Sequence, residues 1–157
     1  MLGKLRIYFV KKAYELKYRN RVLFKKGVNF RSNFKIQMEK SGQIIIGENV
    51  FFNNGCSINS LNEIVIGSNC LFGENVHIYD HNHIYIYNRL IRDSGFKTSK
   101  IIIGSNCWIG SNVTILMNAK IGNNVVIGAG CIINSDIPSN SIVINKQNLV
   151  IKSIELC

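Results

Sequence analysis

Residues 103–133 run IGSNCWIGSNVTILMNAKIGNNVVIGAGCII, with an isoleucine at every sixth position: Ile103, Ile109, Ile115, Ile121, Ile127 and Ile133. The same step recurs upstream at Ile66, Phe72 and Ile78, and two extra residues before that, at Ile46, Phe52 and Ile58. The next residue is usually glycine: Gly47, Gly67, Gly73, Gly104, Gly110, Gly122 and Gly128. Four places after the aliphatic residue stands something small or β-branched: Val50, Cys56, Cys70, Val76, Cys107, Val113, Ala119, Val125 and Cys131. A period of six matches neither the 3.6 of an α-helix nor strand alternation. It is the period of a parallel β-helix, in which three hexapeptides form one coil and coils stack about 4.8 Å apart. The aliphatic and the small residue both point inward, and Gly and Asn take the turns.

The flanks are less regular. Val28, Phe30, Phe34, Ile36 and Ile44 suggest one or two degenerate first coils. Leu2, Leu5, Phe9 or Val10, Ala13, Leu16 and Leu23 follow a rough helical spacing, which predicts an amphipathic helix capping the open end of the stack. Leu149, Val150, Ile151 and Ile154 suggest a short helical cap at the other end, and Pro138, the only proline, marks the expected end of the repeats. The expected organisation is a basic helical segment over 1–27, a β-helix over 28–145 that extrudes a loop at 79–100, and a cap over 146–157.

At 157 residues and 18% charged, the chain is one domain with ample material for a core. Its net charge of +10 is uneven. Residues 1–26 hold nine basic residues and one acid, a net of +8, whereas 27–157 hold ten and eight, a net of +2. No apolar run is long enough to span a membrane, and the short run Ile7–Val10 is followed at once by Lys11 and Lys12, unlike a signal peptide. A cytoplasmic protein is expected. The basic segment is either a solvated cap or a peripheral contact with the inner face of an anionic membrane. No nucleic-acid recognition motif accompanies it, so nucleic acid is not an expected partner. Four of the five cysteines, Cys56, Cys70, Cys107 and Cys131, fall on the small inward position and are expected to be inert core residues.

With Ile103–Gly110 and the Ile127-Gly-Ala-Gly130 run in register with ten further hexads, the chain resembles the left-handed β-helix acyltransferases. The nearest branch holds the galactoside, maltose and surface-polysaccharide O-acetyltransferases. The resemblance covers roughly residues 28–155 and implies an all-β, left-handed coil, an exception to the right-handed crossover rule. It also implies acetyl-CoA as co-substrate, a carbohydrate acceptor, and a homotrimer with active sites between subunits.

All three histidines, His77, His81 and His83, lie at or beside the 25-residue interval between Ile78 and Ile103. Acyl transfer to a hydroxyl needs a general base, and imidazole titrates near the working pH. The family places its catalytic histidine seven residues after the small inward residue of the preceding hexad, here Val76, which points to His83. His81 is the second candidate, and Asp80 would orient whichever ring acts. Zinc ligation is not expected, because the three histidines fall within seven residues, whereas the carbonic anhydrases of this fold spread theirs over coils and subunits.

By resemblance, Trp108 lies beside the acyl donor or acceptor, Gly110 is among the cofactor contacts, and Ser111 lies near the thioester carbonyl, where it could donate a hydrogen bond to the developing oxyanion. The resemblance lays coenzyme A along Gly128 and Ala129, with Lys146 and Lys152 as candidates for its phosphates. The chain departs from the family pattern there, carrying Asn134-Ser135 and Asn145–Leu149. Asn53 matches an acceptor contact or is an ordinary turn residue. Tyr85, Tyr87, Arg89 and Arg92 would select the acceptor, the arginines favouring an anionic sugar. Two alternatives remain open: N-acetylation of a nucleotide-linked amino sugar, and a glycan-binding scaffold without activity.

Overall fold

The computed structural model describes residues 2–39 and 41–146, with side chains from residue 5 onward. It is a left-handed, three-faced solenoid of about five coils. The first face stacks Val22–Phe24, Gln43–Ile46, Glu63–Ile66, Ile101–Ile103 and Lys120–Ile121. The second stacks Asn29–Phe30, Phe51–Phe52, Leu71–Phe72, Trp108–Ile109, Val126–Ile127 and Ile142–Val143. The third stacks Lys35–Met38, Ser57–Ser60, His77–Tyr79, Thr114–Leu116 and Ile132–Ile133. Every pairing within a face is parallel and in hexad register, for example Ile66 with Ile103 and Ile103 with Ile121.

The inward residues form one continuous core. The aliphatic or Phe position of each hexad from Ile46 to Ile133 is buried, and so is every small position from Val50 to Cys131. Phe30, Phe34, Phe52 and Phe72 stack as a column of rings 4.5–4.9 Å apart. Cys56, Cys70, Cys107 and Cys131 are free and buried. Three of their thiols donate to the next coil: Cys56 to Gly73 O, Cys70 to Gly104 O and Cys107 to Gly122 O, at 3.1–3.2 Å. Burial pushes the Cys56 thiol up, and the neighbouring Cys107 thiol, together with burial, does the same to Cys70.

The stack begins earlier than the expected start at residue 28: Val22 already lies on Ile44. It also continues past Pro138, since Ile142–Val143 pairs with Val126–Ile127. The cap expected over 146–157 lies outside the described residues apart from Lys146.

Helix α1 (Leu2–Lys17) closes the first end. Its packed face differs from the expected one. Leu5, Phe9 and Leu16 are exposed, and Leu23 belongs to a strand, whereas Ile7, Val10 and Tyr14 pack on the core and Tyr18 is buried. The edge strand Lys35–Met38 supplies the reason. Tyr14 Oη donates to Phe34 O and accepts from Ile36 N–H, and Tyr18 Oη donates to Ile36 O at 3.0 Å. A leucine on that face would leave these edge groups unpaired. No described helix is long and apolar enough to cross a membrane.

Candidate functional site

The third face is where the coil opens. After His77–Tyr79 the chain leaves the stack at Asp80 and returns at Ser99, whose N–H donates to Asp80 O at 2.9 Å. Between them His81–His83 pairs antiparallel with Phe96–Thr98. The extruded segment is thus anchored at its base by a short hairpin.

Asp80 is fully buried and fully bonded. Its Oδ2 accepts from Ser60 Oγ at 2.7 Å and Asn62 N–H at 2.8 Å, and its Oδ1 accepts from Leu61 N–H at 2.8 Å. The same Oδ1 lies 3.1 Å from His81 Nδ1. An Nδ1–H donated here fixes the His81 tautomer and leaves Nε2 as the basic nitrogen. The carboxylate therefore orients His81 and not His83. His83 is exposed, with its ring 4.5 Å from the Phe96 ring. His77 remains on the coil, its Nδ1 2.8 Å from Ser57 Oγ.

Two hollows flank this hairpin. The larger, about 550 Å³, is lined by Tyr79, His81, Asn82, His83, Leu116, Met117, Asn118 and Asn134. The smaller, about 340 Å³, lies toward helix α1, with Lys17, Gln37, Glu39 and Asn59 in its wall. His81 borders both. Asn59, Tyr79, Leu116 and Asn134 had no place among the expected site residues. They share one position, immediately after the inward residues Ile58, Ile78, Ile115 and Ile133, where the other two faces mostly carry glycine. That break in the glycine pattern is the signal that could have found them.

The remaining expected residues lie elsewhere on the chain. Trp108 sits on the second face between Leu71 and Val126 and is 57% exposed. Ser111 occupies the turn that follows, where its Oγ accepts from Glu74 N–H at 3.1 Å. Asn53 holds its own turn, its Oδ1 accepting from Asn54 N–H. The Gly110 requirement is structural, since a Cβ there would stand 2.7 Å from Ala129 N in the next coil. Gly128 is less tight, with Val143 O at 3.2 Å. None of these, nor Ala129, lines the histidine hollows. Tyr85, Tyr87, Arg89 and Arg92 are exposed on the extruded segment, where Arg89 donates to Asp93 O and Arg92 pairs with Asp93. Lys146 is exposed, and Lys152 lies outside the described residues.

The chain is similar to several known proteins. The model of the bacterial transferase hexapeptide (six repeats) covers residues 100–135. An Escherichia coli (strain K12) protein named for lipopolysaccharide biosynthesis O-acetyl transfer, WbbJ, is 31% identical over 136 residues, 80% of this chain and 69% of its own. The chain belongs to the hexapeptide-repeat acetyltransferases. Among solved structures of this family, a maltose O-acetyltransferase from Clostridium difficile 630 is 34% identical, with a TM-score of 0.66 over 90% of this chain and 75% of that one. A galactoside acetyltransferase in complex with coenzyme A is 29% identical, with a TM-score of 0.61 over 89% and 72%. For this acetyltransferase the hairpin is where the third face departs from a plain coil.

Proposed function

We propose that the chain transfers an acetyl group from acetyl-CoA to a carbohydrate hydroxyl, with His83 as general base. The observation that carries this is the pair of imidazoles on one rim of a hollow, in a chain of acetyltransferase ancestry. His83 takes the hydroxyl proton as the acceptor oxygen attacks the thioester carbonyl. The tetrahedral intermediate collapses, the C–S bond breaks, and His83 returns the proton to the departing thiolate of coenzyme A. Its exposed ring, bonded to no side chain among the described residues, suits both transfers. Asp80 and His81 act as the positioning unit that holds the hairpin base.

A second assignment rests on one specific contact. The Asp80–His81 pair is the arrangement that fixes a tautomer and stabilises an imidazolium, which favours His81 as base. The two hollows then suit the two substrates, the larger taking the pantetheine end and the smaller, with Lys17, Gln37, Glu39 and Asn59, taking the sugar.

Trp108, Gly110, Ser111, Gly128 and Ala129 lie on a different corner from the hairpin, so a donor touching both sets must bridge two protomers. A homotrimer does this. Its support is the outward ladder of the second face, apolar from Phe51 through Leu71, Trp108 and Val126 to Ile142, with Leu71, Trp108 and Ile142 exposed. In that assembly the solenoid is the catalytic body, residues 1–21 are its cap, and the exposed 84–95 segment with Tyr85, Tyr87, Arg89 and Arg92 reaches the acceptor. Asn53 contacts the sugar from its turn, and Lys146 and Lys152 meet the coenzyme phosphates. The site of action is the cytoplasm, where acetyl-CoA is supplied.

The test is thiol release from acetyl-CoA against a panel of hydroxyl-only sugars, nucleotide-linked amino sugars and polysaccharides. O-acetylated product with a hydroxyl-only acceptor is expected. Product only with the amino sugars overturns the O-acetyl assignment, and no product with no competition by coenzyme A favours the scaffold.

A further inference from the structure

Helix α1 is apolar on two opposite sides. One stripe, Ile7, Val10 and Tyr14, packs on the coil end. About half a turn round the helix, Leu5, Phe9 and Leu16 form a second stripe that is 55%, 60% and 78% exposed, with Tyr8 beside it at 55%. A cap needs only the first stripe. The second is as regular in its spacing, and its largest side chains face solvent in a chain that buries its core aliphatics to within a few per cent.

The flanks of that stripe are cationic. Arg6 borders it on one side and Lys12 on the other, and Arg19, Lys25 and Lys26 are exposed on the same end of the solenoid. Glu15 is the only acid in residues 1–26 and is engaged by Lys12 at 2.7 Å. We propose that this end cap docks on an anionic lipid bilayer, with Leu5, Phe9 and Leu16 entering the headgroup boundary and the surrounding lysines and arginines meeting lipid phosphates.

Charge decides the occupant. A second copy on the same stripe would bring two segments of net +8 together, which repels. An anionic surface attracts them, and within a Debye length each cation adds to the binding. A polynucleotide would use the cations but would leave the Leu and Phe stripe in water. A bilayer uses both, as interfacial amphipathic helices do. The packed stripe fixes the orientation, because Tyr14 and Tyr18 tie the helix to the strand edge, so the outer stripe is already presented before contact. The inference does not depend on the catalytic assignment, since no stripe residue lines either hollow.

The test is co-sedimentation of the full chain with vesicles of equal parts phosphatidylglycerol and phosphatidylcholine, beside vesicles of phosphatidylcholine alone. Binding to the anionic vesicles, weakening as salt is raised, is expected. The doubly substituted Phe9→Glu, Leu16→Glu chain should bind about tenfold less while its circular dichroism, thermal midpoint and oligomeric state stay the same. Failure to bind anionic vesicles overturns the proposal, as does a double variant that binds undiminished. Two further results overturn it: a double variant that changes oligomeric state, which makes the stripe a contact between copies, and binding to a single-stranded polynucleotide without binding to vesicles.

Discussion

The corner that follows the second face and the corner that follows the third are built from the same hexapeptide and behave differently. Following the second face, Asn53, Gly73, Gly110 and Gly128 occupy equivalent positions, and at Gly110 the next coil leaves no room for a Cβ. Following the third, the equivalents are Asn59, Tyr79, Leu116 and Asn134, whose side chains project into the hollows beside the hairpin. Where the next coil closes on Gly110, sterics demand glycine and no side chain can project. At the third corner larger side chains are admitted, and there the chain also releases its long excursion. The candidate site sits at the corner where glycine gives way to larger side chains.

Substitutions should separate these corners. Ile109→Ala, inside the stack, should lower stability most, by about 2–5 kcal/mol, because a fully buried side chain is replaced by a cavity. Chemical denaturation measures it. Gly110→Ala should follow at about 1–3 kcal/mol, since the added methyl must displace the Ala129 backbone. Asp80→Ala should give a loss of similar size, about 1–3 kcal/mol, by leaving Leu61 N–H and Asn62 N–H without their acceptor. It should also disturb acetyl transfer, through His81. Leu116→Ala, at the open corner, should change stability by less than about 1 kcal/mol while raising KM for acetyl-CoA or the acceptor. If Gly110→Ala proves silent and Leu116→Ala unfolds the chain, the contrast between corners is wrong. Tyr87→Ser, on the exposed excursion, should be smallest of all, within about 0.5 kcal/mol.

The coil was legible because one requirement repeats. Inward Ile and Phe, small residues at the narrow positions and Asn at turns recur often enough to give face, register and burial together. Nine asparagines from Asn49 to Asn140 adopt left-handed backbone angles, Asn88 on the excursion and the other eight at turns of the coil, consistent with that pattern. The helix was less legible. Its two apolar stripes have the same spacing, and only the edge carbonyl of Phe34 and the edge groups of Ile36 choose the tyrosine-bearing one. The hairpin histidines were visible as residues, but not which of them the buried carboxylate meets. Asp80 reaches back to Ser60, Leu61 and Asn62, a contact across coils that adjacency to His81 in the sequence does not reveal. The residues lining the hollows were hidden because the glycine rule was taken as one pattern, whereas it holds at two corners of three.

The most direct measurement compares steady-state acetyl transfer to a hydroxyl acceptor by the unmodified chain, His83→Ala and His81→Ala, each with its thermal midpoint. The account predicts that His83→Ala lowers kcat by about 10²–10⁴-fold at unchanged midpoint, with a smaller loss for His81→Ala. Undiminished turnover by His83→Ala, with the loss falling on His81→Ala instead, would contradict it.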